Sequence, residues 1–328
     1  MDISTTYLGL KLKSPIVPSA GPLSQDISNI RQMEDAGAGA VVLYSLFEEQ
    51  LEHEELELNY HTTPAESYAE ATSYFPMPFG YKSGPDEYLE HIRKAKASVD
   101  IPIIASLNGK SLGGWIDYSK KIEEAGADAL ELNIYLLATD IEKRSEDIER
   151  NYIHIVRRVR SEIKIPIAVK MHPFFSSTAW MANELSKAGA NGLVLFNRFY
   201  QPDINLETLE VEPNVILSTP FAMRLPLRWI AILYGRTNAD LAATSGIYTE
   251  EDVVKMIMAG ANVTQMLSCL LKFGIGHIAD VLTKMKSWME EKEYESVKQM
   301  RGSMSYMNVP DPAKFERANY MKVLHSFR

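Results

Sequence analysis

Apolar and polar positions along this chain follow a repeating order. Short apolar runs alternate with longer segments in which apolar residues recur every three or four positions. The triplet Ala-Gly-Ala occurs at Ala36–Ala38, Ala125–Ala127, Ala188–Ala190 and Ala259–Ala261. Each copy follows a helix-like segment and precedes an apolar run, namely VVLYS, LELNIY, LVLFN and VTQML. A glycine just past a helix accepts the left-handed conformation that closes it. The next run then reads as a strand buried on both faces. A second signature alternates with the first, Pro followed by a strand, in SPIVPSAG, IPIIASLNG and IPIAVKMH.

Strands are predicted at Ile16–Ala20, Val41–Ser45, Ile103–Asn108, Leu130–Tyr135, Ile167–His172, Leu193–Asn197, Leu241–Ser245 and Val263–Leu267. Helices fit between them. Ser24 opens one carrying Ile27, Ile30 and Met33, and TEED at Thr249–Asp252 reads as a capping box. Pro226 suits the first turn of a helix ending near Arg236. Eight βα units predict an α/β fold of the TIM (β/α)8 type, with TTYLGLKLKSP as an N-terminal β-hairpin plugging the bottom. A doubly wound sheet competes poorly, because the first strand runs into SAGPLSQD and not into a glycine-rich dinucleotide fingerprint. The expected organisation is one domain over residues 1–328, with an insertion or lid at 47–84 after strand 2. That insertion holds the acidic run FEEQLEHEELEL, whose default reading is a solvated helical face. The segment Phe199–Ala222 after strand 6 can contribute to the same face of the barrel.

Composition narrows the partners. A formal charge of −9 argues against a broad phosphate-binding surface, so no nucleic acid partner is expected. The single cysteine, Cys269 in QMLSCLLKF, excludes an internal disulfide and a Cys-based metal cage, and reads as a core hydrophobe. No metal site is expected. The N-terminus lacks a basic region followed by an apolar run, and no apolar stretch approaches the ~20 residues that span a bilayer. The expectation is a cytoplasmic protein with a small-molecule substrate and no membrane partner, with a homodimer left open.

In a TIM barrel the C-terminal ends of the strands converge on one mouth. Here they supply Ser19, Ala20 and Gly21, Tyr44 and Ser45, Asn108, Asn133, Lys170, Asn197, Ser245 and Gly246, and Leu267 and Ser268. Glu131 and Asn133 lie two apart in ALELN and share one face. Lys170, inside the apolar run IAVKMH, is expensive to bury unless paired or used. It reads as an ion pair with Glu131, as a ligand of a cofactor, or as a Schiff-base lysine of a lyase or aldolase. Strands 7 and 8 end at the corner where this fold holds phosphate, with Gly246 allowing close backbone approach. A buried Lys, three Asn side chains and a phosphate corner fit FMN, whose pyrimidine edge suits amides and whose reduced form suits a cation.

These blocks resemble the dihydroorotate dehydrogenase family in its soluble class 1 branch. The resemblance is carried by YLGLKLKSPIVPSAG, EEAGADALELN, IPIAVKMHPFF, LVLFN, TSGIYTEEDVVKMIMAGANVTQ and VPDP. It implies FMN on the barrel mouth, with Lys170 near the pyrimidine edge and Asn108, Asn133 and Asn197 on flavin or substrate. It also implies a phosphate held by backbone at Ser245, Gly246, Leu267 and Ser268. On the substrate side the chain departs from the family. The family continues ELN with a short run whose Cys or Ser removes a proton from dihydroorotate, and this chain has Leu136 there. The orotate-gripping Asn-x-x-Gly loop is matched only by PMPFGYKSGPDEYL, without its Asn. Tyr44 stands where a flavin-contacting Lys is usual, and Arg198 where a Ser is usual.

The expectation is therefore an FMN-dependent oxidoreductase that moves hydride from a small polar or anionic substrate to flavin N5. Catalytic roles fall to Lys170, Asn133, Tyr135 and His172, and substrate binding to Asn197 and Arg198. Two alternatives stay open: a true dihydroorotate dehydrogenase of pyrimidine biosynthesis using a substitute base, and a flavin-binding electron-transfer protein without turnover.

Overall fold

The computed structural model describes residues 1–48, 85–109, 111–198, 201–212 and 216–316. The predicted insertion at 47–84 lies outside them, apart from Phe47 and Glu48. Strands β1 (Thr5–Tyr7) and β2 (Leu10–Leu12) form the expected antiparallel hairpin, with Thr5 opposite Leu12. Its turn, Leu8–Gly9, has φ of 56° and 76°, the left-handed pair that a two-residue hairpin turn of matching twist requires.

The predicted barrel is present. It comprises β3 (Ile16–Pro18), β4 (Val41–Phe47), β5 (Ile103–Asn108), β6 (Ala129–Asn133), β7 (Ile167–Met171) and β8 (Gly192–Leu195). A small hairpin, β9 (Asp203–Asn205) and β10 (Glu210–Glu212), interrupts the series before β11 (Asp240–Thr244) and β12 (Val263–Met266). The eight barrel strands pair in parallel in the order β3-β12-β11-β8-β7-β6-β5-β4, and among the described residues the β3–β4 seam has no ladder.

The helices α1 (Ile27–Asp35), α2 (Pro85–Ser98), α3 (Leu112–Glu124), α4 (Ser145–Glu162), α5 (Thr178–Ala188), α6 (Arg224–Leu233) and α7 (Glu250–Ala259) alternate with these strands. They are followed by α8 (Ser268–Phe273), α9 (His277–Glu291) and α10 (Val297–Met300). No helix among the described residues is long and apolar enough to cross a membrane. The glycines of the four Ala-Gly-Ala triplets have φ between 93° and 130°, so each ends its helix in the left-handed region where a side chain would be strained. The Thr249–Asp252 capping box forms as predicted. Pro226 lies in the first turn of α6, which ends at Leu233. Ser24 does not cap α1. Asp26 does, accepting from Ser28 N at 2.7 Å, while Ser24 sits in a 3-10 turn and its hydroxyl accepts from Tyr44 N at 2.8 Å.

Strand parity sorts the core into two clusters. Ile167, Val169 and Met171 pack outward against the helices. Ala168 faces inward with Val17, Val42, Ile104, Ala129, Val194, Ala242 and Val263, an apolar layer across the barrel that Tyr7, Leu8 and Leu12 of the hairpin cover from below. The hairpin therefore closes the bottom and leaves the opposite end for chemistry.

Candidate active site

Two residues further along the same inward faces, the barrel interior turns polar. Glu131, fully buried, accepts from Lys170 Nζ at 3.2 Å on one carboxylate oxygen and from Gln265 Nε2 at 2.7 Å on the other. Gln265 Oε1 accepts from Ser19 Oγ at 3.2 Å, and Lys170 Nζ reaches Ser19 Oγ at 3.5 Å. Both Glu131 oxygens thus have partners, which answers how a carboxyl group survives in the middle of an apolar strand.

Above this floor opens a cavity of about 740 Å³, lined by Ser19, Lys170 and Gln265 at its base. Its walls carry Asn108, Asn133, Asn197, Tyr135 and Arg198, with Phe47, Phe196 and Leu271 supplying apolar surface. Asn197 Nδ2 donates to Asn133 Oδ1 at 2.6 Å, joining the amides at the ends of β6 and β8 across the intervening β7. Arg198 is tied by Nη1 to the carbonyl of Ile216 at 3.1 Å, so it anchors the segment that roofs one side.

The far corner holds Ser245, Gly246, Leu267 and Ser268, together with Ser218. Ser245 and Gly246 have φ of 79° and 73°. A Cβ on Gly246 would stand 2.5 Å from the Thr219 carbonyl oxygen, so only glycine fits this turn. The Gly246 N–H donates to Ser218 Oγ at 3.1 Å, and Ser218 Oγ donates to Ser268 Oγ at 2.8 Å. Tyr248 Oη holds the Ser218 carbonyl at 2.5 Å. The Gly246 N–H at this corner therefore already meets an oxygen acceptor, the Ser218 hydroxyl.

Four of the residues expected at the mouth lie elsewhere. Between Val42 and Ser45, β4 carries one residue more than the partner stretch Ile104–Ser106 of β5, a bulge that swaps the faces of the residues after it. Tyr44 consequently turns outward against Tyr88 (ring centroids 5.1 Å apart) and His91 (5.4 Å). Ser45 turns inward below the cavity, with its hydroxyl 2.8 Å from that of Ser106. Gly21 packs on the Leu267 side chain. His172 stacks on Phe175 at 3.9 Å and meets the edge of Tyr152 at 5.6 Å, away from the cavity. Burial in this aromatic setting pushes His172 down to about 4, and its Nδ1 accepts from Phe174 N at 3.0 Å, so the ring is neutral at pH 7. The remaining candidates, Ala20 among them, line the cavity. Sequence reasoning missed Gln265 and Ser218. Gln265 had a readable signal, a polar residue two positions after inward-facing Val263, whereas Ser218 had none.

The chain matches the family profile described as Dihydroorotate dehydrogenase over residues 2–289. This protein belongs to the dihydroorotate dehydrogenase family. Similar curated relatives include the dihydroorotate dehydrogenase B (NAD(+)) catalytic subunit of Thermoplasma acidophilum, 27% identical over 92% of this chain and 98% of the relative. The protein of the same name from Methanocaldococcus jannaschii is 25% identical over 88% and 94%, and that of Fusobacterium nucleatum 25% over 83% and 95%. Leu136, which the sequence reading expects at the position of the family's base, packs against the helix-side core. Its neighbour Tyr135, 37% exposed, is the one that faces the cavity. No Asp, Glu, His or Cys side chain lines the cavity among the described residues.

Proposed function

We propose that this protein is an FMN-dependent oxidoreductase whose substrate is small, polar or anionic, and other than dihydroorotate. The observation that carries the proposal is the Lys170 ammonium, held by buried Glu131 at the base of an amide-walled cavity with a strained, Cβ-excluding turn at its far corner. The donor set suits FMN. Ser245, Gly246, Leu267 and Ser268 would hold the phosphate, with Ser218 Oγ marking the acceptor position at Gly246 N–H. Asn108, Asn133 and Asn197 would hold the pyrimidine edge or the substrate's carbonyls.

FMN, when bound, supplies a two-electron acceptor that takes hydride at N5. The chain's own residues do the rest. Lys170 has three N–H donors, of which Glu131 and Ser19 take two, and the ammonium places positive charge at the cavity floor. The Asn133–Asn197 pair orients amides before a ligand arrives, which lowers the reorganisation needed on binding. Arg198 offers guanidinium N–H groups beyond the one on Ile216 to a substrate carboxylate. Tyr135 brings a phenol hydroxyl to the cavity wall, where it can donate to or accept from a substrate.

The position of Leu136 argues against dihydroorotate, since a positioned base contributes typically ~10²–10⁴-fold. A second reading, a true dihydroorotate dehydrogenase, is favoured by Tyr135 facing the cavity where it could act as substitute base. The test uses purified protein. One FMN per chain is expected, and anaerobic mixing with millimolar dihydroorotate should leave the oxidised flavin spectrum intact. Rapid bleaching with orotate formed would replace the proposal by the second reading. Colourless protein that cannot be loaded with FMN would overturn both.

A further inference from the structure

We infer that Gln265 is a positioning residue for Lys170, acting through Glu131 from the opposite wall of the barrel. The inference rests on the FMN reading for its functional consequence but on geometry alone for the coupling. Glu131 and Lys170 come from neighbouring strands β6 and β7, whereas Gln265 and Ser19 come from β12 and the residue following β3. In the strand order these two pairs lie apart, so the 2.7 Å bond from Gln265 Nε2 to Glu131 Oε2 spans the barrel interior. Gln265 is 1% exposed and Glu131 0%, so water does not substitute for either partner.

The ring has one consistent direction. Ser19 Oγ–H donates to Gln265 Oε1, which leaves the amide N–H for Glu131. Ser19 then accepts from Lys170, and Lys170 donates to the remaining Glu131 oxygen. Turning the Gln265 amide over would set its oxygen against the carboxylate and its N–H₂ toward the Ser19 hydroxyl. An amide locked this way holds the carboxylate plane still. With Glu131 Oε2 engaged by Gln265, only Oε1 is left for Lys170, so the ammonium is held by one oxygen and its remaining N–H is aimed at the cavity. If Gln265 is lost, both carboxylate oxygens become available to Lys170. The ammonium would then be drawn deeper, and less positive charge would be presented to whatever lies above it.

The test has an arm that needs no cofactor and an arm that does. In the first, unfolding constants of apo wild type, Q265L, K170M and the double variant are measured in urea. Coupling through Glu131 predicts strong non-additivity, with the double variant's constant departing at least fivefold from the product of the single effects. Additive effects would overturn the inference whatever the cofactor is. In the second arm, the reduction potential of bound FMN is measured in the same four proteins. Q265L should weaken reduced FMN relative to oxidised FMN by up to about tenfold, a drop of about 30 mV for a two-electron couple. The drop should vanish in the K170M background. A Q265L shift that is the same with and without Lys170, or no shift at all, would overturn the positioning role. If no variant, wild type included, binds FMN, the functional reading fails and the first arm alone decides the inference. Q265E serves as a second variant should Q265L fold poorly. It opposes two carboxylates, which cannot both ionise at that distance, and should add a break to the slope of flavin potential against pH that the wild type lacks. A profile with the wild type's slope throughout would count against the inference.

Discussion

Two layers of the barrel interior, one step apart on the same strands, are built on opposite principles. In the lower layer the inward positions are Val17, Ile104, Ala129, Ala168 and Val263, capped by the hairpin. Two residues later the same strands present Ser19, Ser106, Glu131, Lys170 and Gln265, and the cavity opens above. The lower layer needs only volume and shape to be satisfied. The upper layer needs every donor matched to an acceptor, because an unpaired buried charge costs several-fold more than a lost methyl group. One polar residue per strand, placed by period-two parity, turns a packed core into the floor of a site.

The contrast can be broken most severely at its centre. Glu131→Leu leaves the Lys170 ammonium buried without its carboxylate and should cost about 3–5 kcal/mol of stability in urea unfolding. Adding Lys170→Met makes the upper layer apolar like the lower one and should return most of that loss. If the double variant stays as unstable as Glu131→Leu, the pair is not what makes the layer costly. His172 tests the residue just past the end of β7, one step beyond the polar layer. Its folded pKa of about 4 lies below the ordinary 6.5, so the unfolded chain binds more protons between those values. Stability contributed by the neutral ring is present above pH 6.5 and is lost as pH falls toward 4, by at most ~3 kcal/mol. His172→Phe should flatten that slope, read as urea midpoints against pH, while leaving the cavity's ligand affinity unchanged. Ile104→Val probes the lower layer and should cost about 1 kcal/mol with no change in FMN content or spectrum. The smallest effect is expected at the rim. Leu136→Cys should gain no measurable dihydroorotate oxidation in a stopped-flow assay, because residue 136 faces the core and not the cavity.

Much of the fold was readable from local pattern. The alternating helix-closing glycines and Pro-led strands locate seven of the eight barrel strands, with β11 read from its apolar run alone, and the TTYLGLKLKSP hairpin plugs the expected end. Parity put Glu131 and Asn133 on one face, and the cost of burying an ammonium pointed to the Lys170–Glu131 ion pair that the structure contains. The misplacements have specific causes. Tyr44 and Ser45 exchange faces because a single extra residue in β4 shifts the register, and nothing in VVLYSLF announces a bulge. His172 continues the parity of Lys170, but β7 ends at Met171 and the chain then turns its ring onto Phe175.

Sequence by itself determined the elements, their order and the shared face of Glu131 and Asn133, because these follow from a side-chain period of two and from glycine's access to left-handed φ. Only the tertiary structure decided that Gln265 reaches Glu131 and that Ser218 meets Gly246. Those contacts join residues 134 and 28 positions apart, and which side chains meet across a barrel depends on its closure and stagger, which no local pattern encodes.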